Sequence, residues 1–118
     1  KTLEINSYPG AFSHFFSNLI VNSFSHGFQD EESGKIQIQA SLKNNQLTLY
    51  YSDNGRGMEE KDRLQIFEPF FTTARHRGGS GLGMHIVYNL VTQTLQGTIH
   101  CSSTPGQGVA FEIVVPLF

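Results

Sequence analysis

Apolar and polar positions alternate along this chain with two different periods. From Ala11 to about His26, Phe12, Phe15, Phe16, Leu19 and Phe24 fall mostly three and four apart. That spacing predicts an amphipathic helix, opened by Pro9 and closed by Gly27. Lys35–Leu42 and Gln46–Tyr51 alternate with period two around Asn44-Asn45, which predicts a β-hairpin. Ser52–Gly57 reads as a Gly-rich loop and Glu59–Ile66 as a short helix. Phe67–Gly79 fits no regular period and reads as a long loop, the kind that often carries function. Ser80–Gln96 predicts a second long helix, with Ser80 as N-cap, Ile86, Val87, Leu90, Val91 and Leu95 on its buried face, and Gly97 as its stop. Thr98–Ser102 and Val109–Val115 are strands joined by the turn Thr104–Gly108, and Leu3–Asn6 alternates as a further short strand.

Strands joined by tight turns pair antiparallel, so the sheet should be mixed or largely antiparallel. Two amphipathic helices then cover one face. The expected fold class is α+β, a two-layer α/β sandwich, and the strands do not alternate with helices as a doubly wound parallel sheet requires.

At 118 residues the chain suits one domain, residues 1–118, with room for one core. The absence of an initiator Met makes it read as a fragment of a longer protein. A formal net charge of -2 argues against nucleic acid as partner. Any polyphosphate must then be held by local N–H groups, a metal ion or a few arginines. The single cysteine, Cys101, excludes an internal disulfide. No apolar run reaches the roughly 20 residues of a membrane span, so no membrane contact is expected of this domain.

Several short motifs carry chemistry. Asn18 and Asn22 are four apart and share a helix face, with His14 and His26 one turn away on either side. Amide oxygens are hard ligands that suit Mg²⁺, although a solvated polar face has the same pattern. Asp53-Asn54-Gly55-Arg56-Gly57-Met58 follows a strand. Its glycines let backbone approach a flat ligand, and Asp53 can only accept a hydrogen bond, which suits the amino group of adenine over the O6 of guanine. A plain Asp-Asn-Gly turn is the alternative. Gly78-Gly79-Ser80-Gly81-Leu82-Gly83 opens the last long helix and would leave its first N–H groups free for an anion. A flexible hinge has the same composition. Neither the Walker A spacing nor the dinucleotide fingerprint is present. Phe67-Glu68-Pro69-Phe70-Phe71 stiffens the start of the long loop, and Arg75 and Arg77 beyond it suit phosphate or simply solubilise.

In order, Asn-x3-Asn, Asp-x-Gly-x-Gly, Phe-x-Pro-Phe, Gly-x-Gly-Leu-Gly and Gly-x-Gly-x-x-Phe closely resemble the N, G1, F, G2 and G3 boxes of the sensor histidine kinase catalytic domain, a Bergerat-fold ATPase domain. The resemblance runs from about Ser7 to Pro116. It implies ATP and Mg²⁺ as cofactors, with Asn22 as metal ligand and Asn18 beside it as the catalytic pair. Asp53 would bind the adenine amino group, and Gly55, Gly57 and Met58 would shape its pocket. Phe67 and Phe70 would flank the ATP lid, and Thr72, Thr73, Arg75 and Arg77 would lie on it. Gly79, Ser80, Gly81, Leu82, Gly83 and Met84 would line the phosphates, His26 would follow the N box, and Gly106 and Gly108 would close the back of the pocket.

Departures from the family pattern are Ser25 and Ala74 where basic residues are frequent, Met84 for Leu and Val109 for Thr. Asn18 stands where the gyrase-type, heat-shock and mismatch-repair ATPases carry a water-activating Glu. An amide cannot act as a base at neutral pH, so Asn18 points to phosphoryl transfer onto a histidine. None of the five histidines has the acidic neighbour of the family acceptor motif, so the acceptor should lie outside this chain. The expected partners are a dimerisation and phosphoacceptor domain of the same protein and, indirectly, a response regulator, with this domain itself a monomer in the cytoplasm and the full protein anchored in a bacterial inner membrane. An autonomous ATPase or serine kinase of the wider family, and a degenerate nucleotide-binding module, stay open as alternatives.

Overall fold

The computed structural model describes residues 9–24, 34–71 and 83–117. Helix α1 (Pro9–Asn22) is followed by the hairpin β1 (Ile36–Lys43) and β2 (Gln46–Asp53), then by a single helical turn α2 (Glu60–Arg63). Helix α3 (Gly83–Asn89) runs into a π-helical turn at Leu90–Thr94, and the hairpin β3 (Thr98–Ser103) and β4 (Val109–Pro116) ends the fold. The four described strands form one sheet in the order β1-β2-β4-β3. Every pairing among these described strands is antiparallel, in keeping with the expected mixed or largely antiparallel sheet. The α+β two-layer architecture is as expected.

The core lies between the sheet and the helices. Ala11, Phe15 and Leu19 descend from α1, and Met84, Val87, Val91 and Leu95 from the second helical stretch. They meet Leu47, Leu49 and Tyr51 of β2, Ile99 of β3, and Val109, Phe111, Ile113 and Val115 of β4. The strand residues sit two apart, so one face of each strand is buried. Edge strand β1 is the exception: Ile38 and Leu42 point to the same side as Tyr51 and Leu47 yet remain largely exposed.

The structure departs from the sequence reading in several places. Strand β2 runs two residues further than expected, because Ser52 and Asp53 pair with Ala110 and Val109 of β4. Asp53 is therefore the last rung of a ladder and not a loop residue. Helix α1 opens into a wider turn at Ser23 and Phe24, which swings Phe24 out of the apolar stripe to 61% exposure. Ile86 and Leu90 are only half-buried, and the buried positions are Met84, Val87, Val91 and Leu95. The left-handed residue after the π-helical turn is Gln96 (φ 57°). Gly97 is needed for another reason: a Cβ there would stand 2.2 Å from the Val114 carbonyl oxygen. The Asn44-Asn45 turn has φ of 54° and 58°, the left-handed pair that a tight hairpin requires. The short helix is Glu60–Arg63 only, and the expected Leu3–Asn6 strand, His26, Gly27 and the Ser80 cap lie outside the described residues.

Candidate functional site

At the C-terminal end of β2 a cleft of about 370 Å³ opens between α1, the segment after β2, α2 and the β3–β4 turn. A volume of that order suits a small organic ligand. Its lining includes Asn22, Asp53, Gly57, Met58, Ile66 and Val109. Asp53, 7% exposed, stands at its floor. Oδ1 of Asp53 accepts the Gly55 N–H at 3.0 Å and the Val109 N–H at 3.1 Å. Oδ2 accepts the Ser23 hydroxyl at 2.8 Å. Ser23 Oγ also lies 2.8 Å from the Tyr51 hydroxyl, and that hydroxyl donates to the Leu19 carbonyl at 3.1 Å. Burial raises the Tyr51 pKa above its ordinary value, the Ser23 hydrogen bond opposes that, and the Asp53 charge adds to it.

The loop beyond Asp53 is locked against the second hairpin. The Met58 N–H donates to Ser103 Oγ at 2.9 Å, and the Ser103 hydroxyl donates to the Gly108 carbonyl at 2.8 Å. The Gly106 N–H donates to the Arg56 carbonyl at 2.7 Å. Two glycines are dictated by this contact. A Cβ on Gly57 (φ 69°) would meet the Thr104 carbonyl oxygen at 2.2 Å, and one on Gly108 (φ 78°) the Asp53 carbonyl oxygen at 2.0 Å. Protein backbone, rather than a flat ligand alone, demands glycine at 57.

Helix α1 provides the other wall. Asn22 is 9% exposed and lines the cleft. Asn18 Nδ2 donates back to the His14 carbonyl at 3.0 Å. That leaves the Asn18 amide oxygen turned toward α3, where a Cβ on Gly83 would lie 3.5 Å from it. Two amide side chains one turn apart, Asn22 in the cleft wall and Asn18 beside it, form a donor set of hard oxygens that fits Mg²⁺.

The expected site residues divide accordingly. Asn22, Asp53, Gly57 and Met58 line one cleft, Gly55 and Gly108 are buried against its floor, and Asn18 and Gly83 face each other beside it. Met84 stands in the core, 6% exposed, and not in the cleft lining. Phe67 packs on Tyr88 and Phe111, with ring centroids 5.2 and 6.3 Å away, and lies behind the cleft. Phe70 is 63% exposed with φ 68°, a strained value for an aromatic residue, while its neighbour Phe71 is the aromatic that lines the cleft. A Cβ on Gly106 would meet nothing within 4 Å. His26, Thr72, Thr73, Arg75, Arg77, Gly79, Ser80, Gly81 and Leu82 lie outside the described residues.

Sequence reasoning missed Ser23, Tyr51, Ser103 and His85. His85 Nδ1 lies 3.1 Å from the Phe67 carbonyl and Nε2 3.2 Å from the Asn89 amide nitrogen. A carbonyl only accepts, so Nδ1 carries the proton and Nε2 accepts from Asn89. His85 thus ties the Phe67 segment to α3. The signal for Ser23 was in the chain: Ala11, Phe15, Leu19 and Ser23 form one i, i+4 row, all buried.

A helix pair over an antiparallel sheet, with an acidic side chain at the floor of a cleft, one amide on its wall and a second beside it, is an arrangement that fits a nucleotide-binding ATPase-type domain. Residues 8–118 match the family of histidine kinase-, DNA gyrase B-, and HSP90-like ATPases, and the chain belongs to that family, as an ATP-binding domain of the sensor histidine kinase kind. It is 37% identical over 109 residues to the autoinducer 2 sensor kinase/phosphatase LuxQ of Vibrio cholerae, covering 86% of this chain and 13% of that protein. It is 32% identical over 118 residues to the signal transduction histidine-protein kinase ArlS of Staphylococcus aureus, covering 97% of this chain and 25% of that protein. The chain therefore spans a quarter or less of these relatives. Among solved structures, the catalytic domain of the histidine kinase ThkA in a nucleotide-free form superposes with a TM-score of 0.77 at 25% identity, covering 96% of this chain and 70% of that one. Full-length ShkA in complex with AMPPNP superposes with a TM-score of 0.75 at 27% identity, covering 92% of this chain and 22% of that one.

Proposed function

We propose that this domain binds Mg-ATP and donates the γ-phosphoryl group to a histidine on a separate dimerisation and phosphoacceptor domain of the same protein. The observation that carries the reading is Asp53. Its carboxylate is fixed at the cleft floor by two backbone N–H groups and a hydroxyl, with acceptor capacity left for an incoming amino group. Adenine offers a donor there, and guanine offers an acceptor, which costs about 1–3 kcal/mol when it faces another acceptor in a buried site.

Asn18 and Asn22 would hold Mg²⁺ beside the phosphates, and when bound the ion supplies charge neutralisation to the transferring group. Neither amide can activate water as a base, which favours transfer to an imidazole over hydrolysis. This chain's own contribution is then positioning: the floor fixes the base, the α1 wall fixes the phosphate end, and the attacking histidine comes from elsewhere. The names of the relatives support a signal-transduction kinase setting, with a response regulator proposed as the final recipient. A membrane-anchored full-length protein with this domain in the cytoplasm is part of the same proposal and follows from the family resemblance alone. No helix among the described residues is long and apolar enough to cross a membrane.

Calorimetric titration with non-hydrolysable ATP and GTP analogues, with and without Mg²⁺, tests the site. Wild type should bind the ATP analogue at least tenfold better than the GTP analogue, and Mg²⁺ should tighten it. Asp53→Ala should abolish binding. Equal affinity for both bases, or binding indifferent to Asp53→Ala, would sink the assignment. Adding a histidine-bearing dimerisation domain and ATP should then give an acid-labile phosphohistidine on that domain. Hydrolysis without transfer would overturn the kinase half of the reading.

A further inference from the structure

The hydrogen bonds around Asp53 leave a countable remainder. A carboxylate offers about four acceptor positions, two on each oxygen. Both positions on Oδ1 are taken by the Gly55 and Val109 N–H groups. One position on Oδ2 is taken by the Ser23 hydroxyl. Among the described residues a single position therefore remains, on the oxygen of a residue that lines the cleft. We propose that Ser23 is a positioning and specificity-determining residue, which aims Oδ2 and limits Asp53 to one N–H donor from the ligand. The inference rests on the reading that a nucleotide base occupies this cleft.

Oδ1 alone does not fix the carboxylate plane firmly, because the Cβ–Cγ torsion of Asp is broad. The hydrogen bond on Oδ2 from a side chain 1% exposed removes that freedom. Tyr51 modulates the supply of the proton. Ser23 and Tyr51 bring one hydroxyl proton each to three contacts, at the Leu19 carbonyl, between the two hydroxyls, and at Asp53. Both ends of this row only accept, so Tyr51 competes with Asp53 for the Ser23 proton. Without the Tyr51 hydroxyl, the Ser23 proton has Asp53 as its sole partner in the row.

The test compares ATP with purine riboside triphosphate, which has the same ring and phosphates but no amino group. Affinities are measured by calorimetry on the whole chain, with thermal melting to verify folding. Wild type should favour ATP by about tenfold or more, the worth of one charge-assisted hydrogen bond. Ser23→Ala should reduce that ratio to about threefold or less while binding purine riboside triphosphate within about twofold of wild type. Tyr51→Phe should keep the wild-type ratio or raise it. If Ser23→Ala melts early, the Ser23→Ala/Tyr51→Phe double variant removes both hydroxyls together and is read in its place. A packing role predicts equal losses for both ligands with an unchanged ratio, and that result would overturn the proposal. A wild-type ratio near one would sink the base-recognition reading itself, whereas a high wild-type ratio that survives Ser23→Ala would sink only the role of Ser23.

Discussion

The two walls of the cleft are built by different means. On the floor side, a ladder rung places Asp53, backbone N–H groups hold it, and the β3–β4 turn presses so close that Gly57 and Gly108 have no room for a Cβ. On the α1 side, Asn18 and Asn22 depend on side-chain identity and on the i, i+4 geometry of one helix. The floor is thus specified by where chain meets chain, and substitution there disturbs the fold before it disturbs chemistry. Under the proposed function the helix wall would supply its ligand chemistry through side chains rather than through backbone contacts.

Paired glycine variants give the largest expected effect. Gly108→Ala drives a Cβ to 2.0 Å from the Asp53 carbonyl oxygen at a left-handed φ of 78°, so the second hairpin or β2 must shift. Overpacking together with the left-handed conformation should cost about 3–5 kcal/mol. Gly106→Ala has a similar φ of 82° but open space around it, and should cost only about 1–2 kcal/mol. Denaturant unfolding of the two variants side by side reads the difference. Equal destabilisation would mean that close approach of backbone does not define the floor.

Asn22→Ala tests the other wall. It should remove about tenfold of Mg²⁺-dependent ATP affinity while leaving the preference for ATP over purine riboside triphosphate in place. Titrations with Mg²⁺ and with chelator separate the two quantities. If the base preference collapses along with the Mg²⁺ effect, the walls are coupled and the division between them fails.

Much of this division could be read from the residues. Period-two rows gave both hairpins, and Asn44-Asn45 gave the turn between β1 and β2 because few other pairs tolerate two left-handed residues. The glycines of the Asp53–Met58 segment and of the β3–β4 turn marked special backbone, but their mutual crowding depends on β2 pairing with β4, a contact between segments more than fifty residues apart. Ser23 and Asp53 illustrate the remaining gap. Each continues an apolar row by one step, Ala11-Phe15-Leu19-Ser23 along α1 into the turn that follows it and Leu47-Leu49-Tyr51-Asp53 on β2. A polar residue at the end of a buried row must find a partner, and two such rows ending at the same depth satisfy each other. Periodicity locates each row, and only the packing of α1 on the sheet shows that they meet. Met84 was assigned to the phosphates from its place in a motif, whereas its side chain turns into the core.

The smallest expected effect concerns pH and belongs to the floor. Tyr51 has a folded-state pKa raised above 10.0, first by burial and then by the Asp53 charge, against a lowering by the Ser23 hydrogen bond. A raised phenol pKa means that the folded state binds this proton more tightly than the unfolded chain. The resulting stability is fully present below the unfolded value near pH 10 and is lost as pH rises through the folded value. Wild type should therefore lose stability with rising pH above about 10 more steeply than Tyr51→Phe, which has no proton to release. Chemical unfolding curves of the two proteins at pH 8 to 11 measure the slopes. Parallel slopes would show that the hydroxyl row beneath Asp53 takes up water on ionisation, and that the floor is less closed than its hydrogen bonds imply.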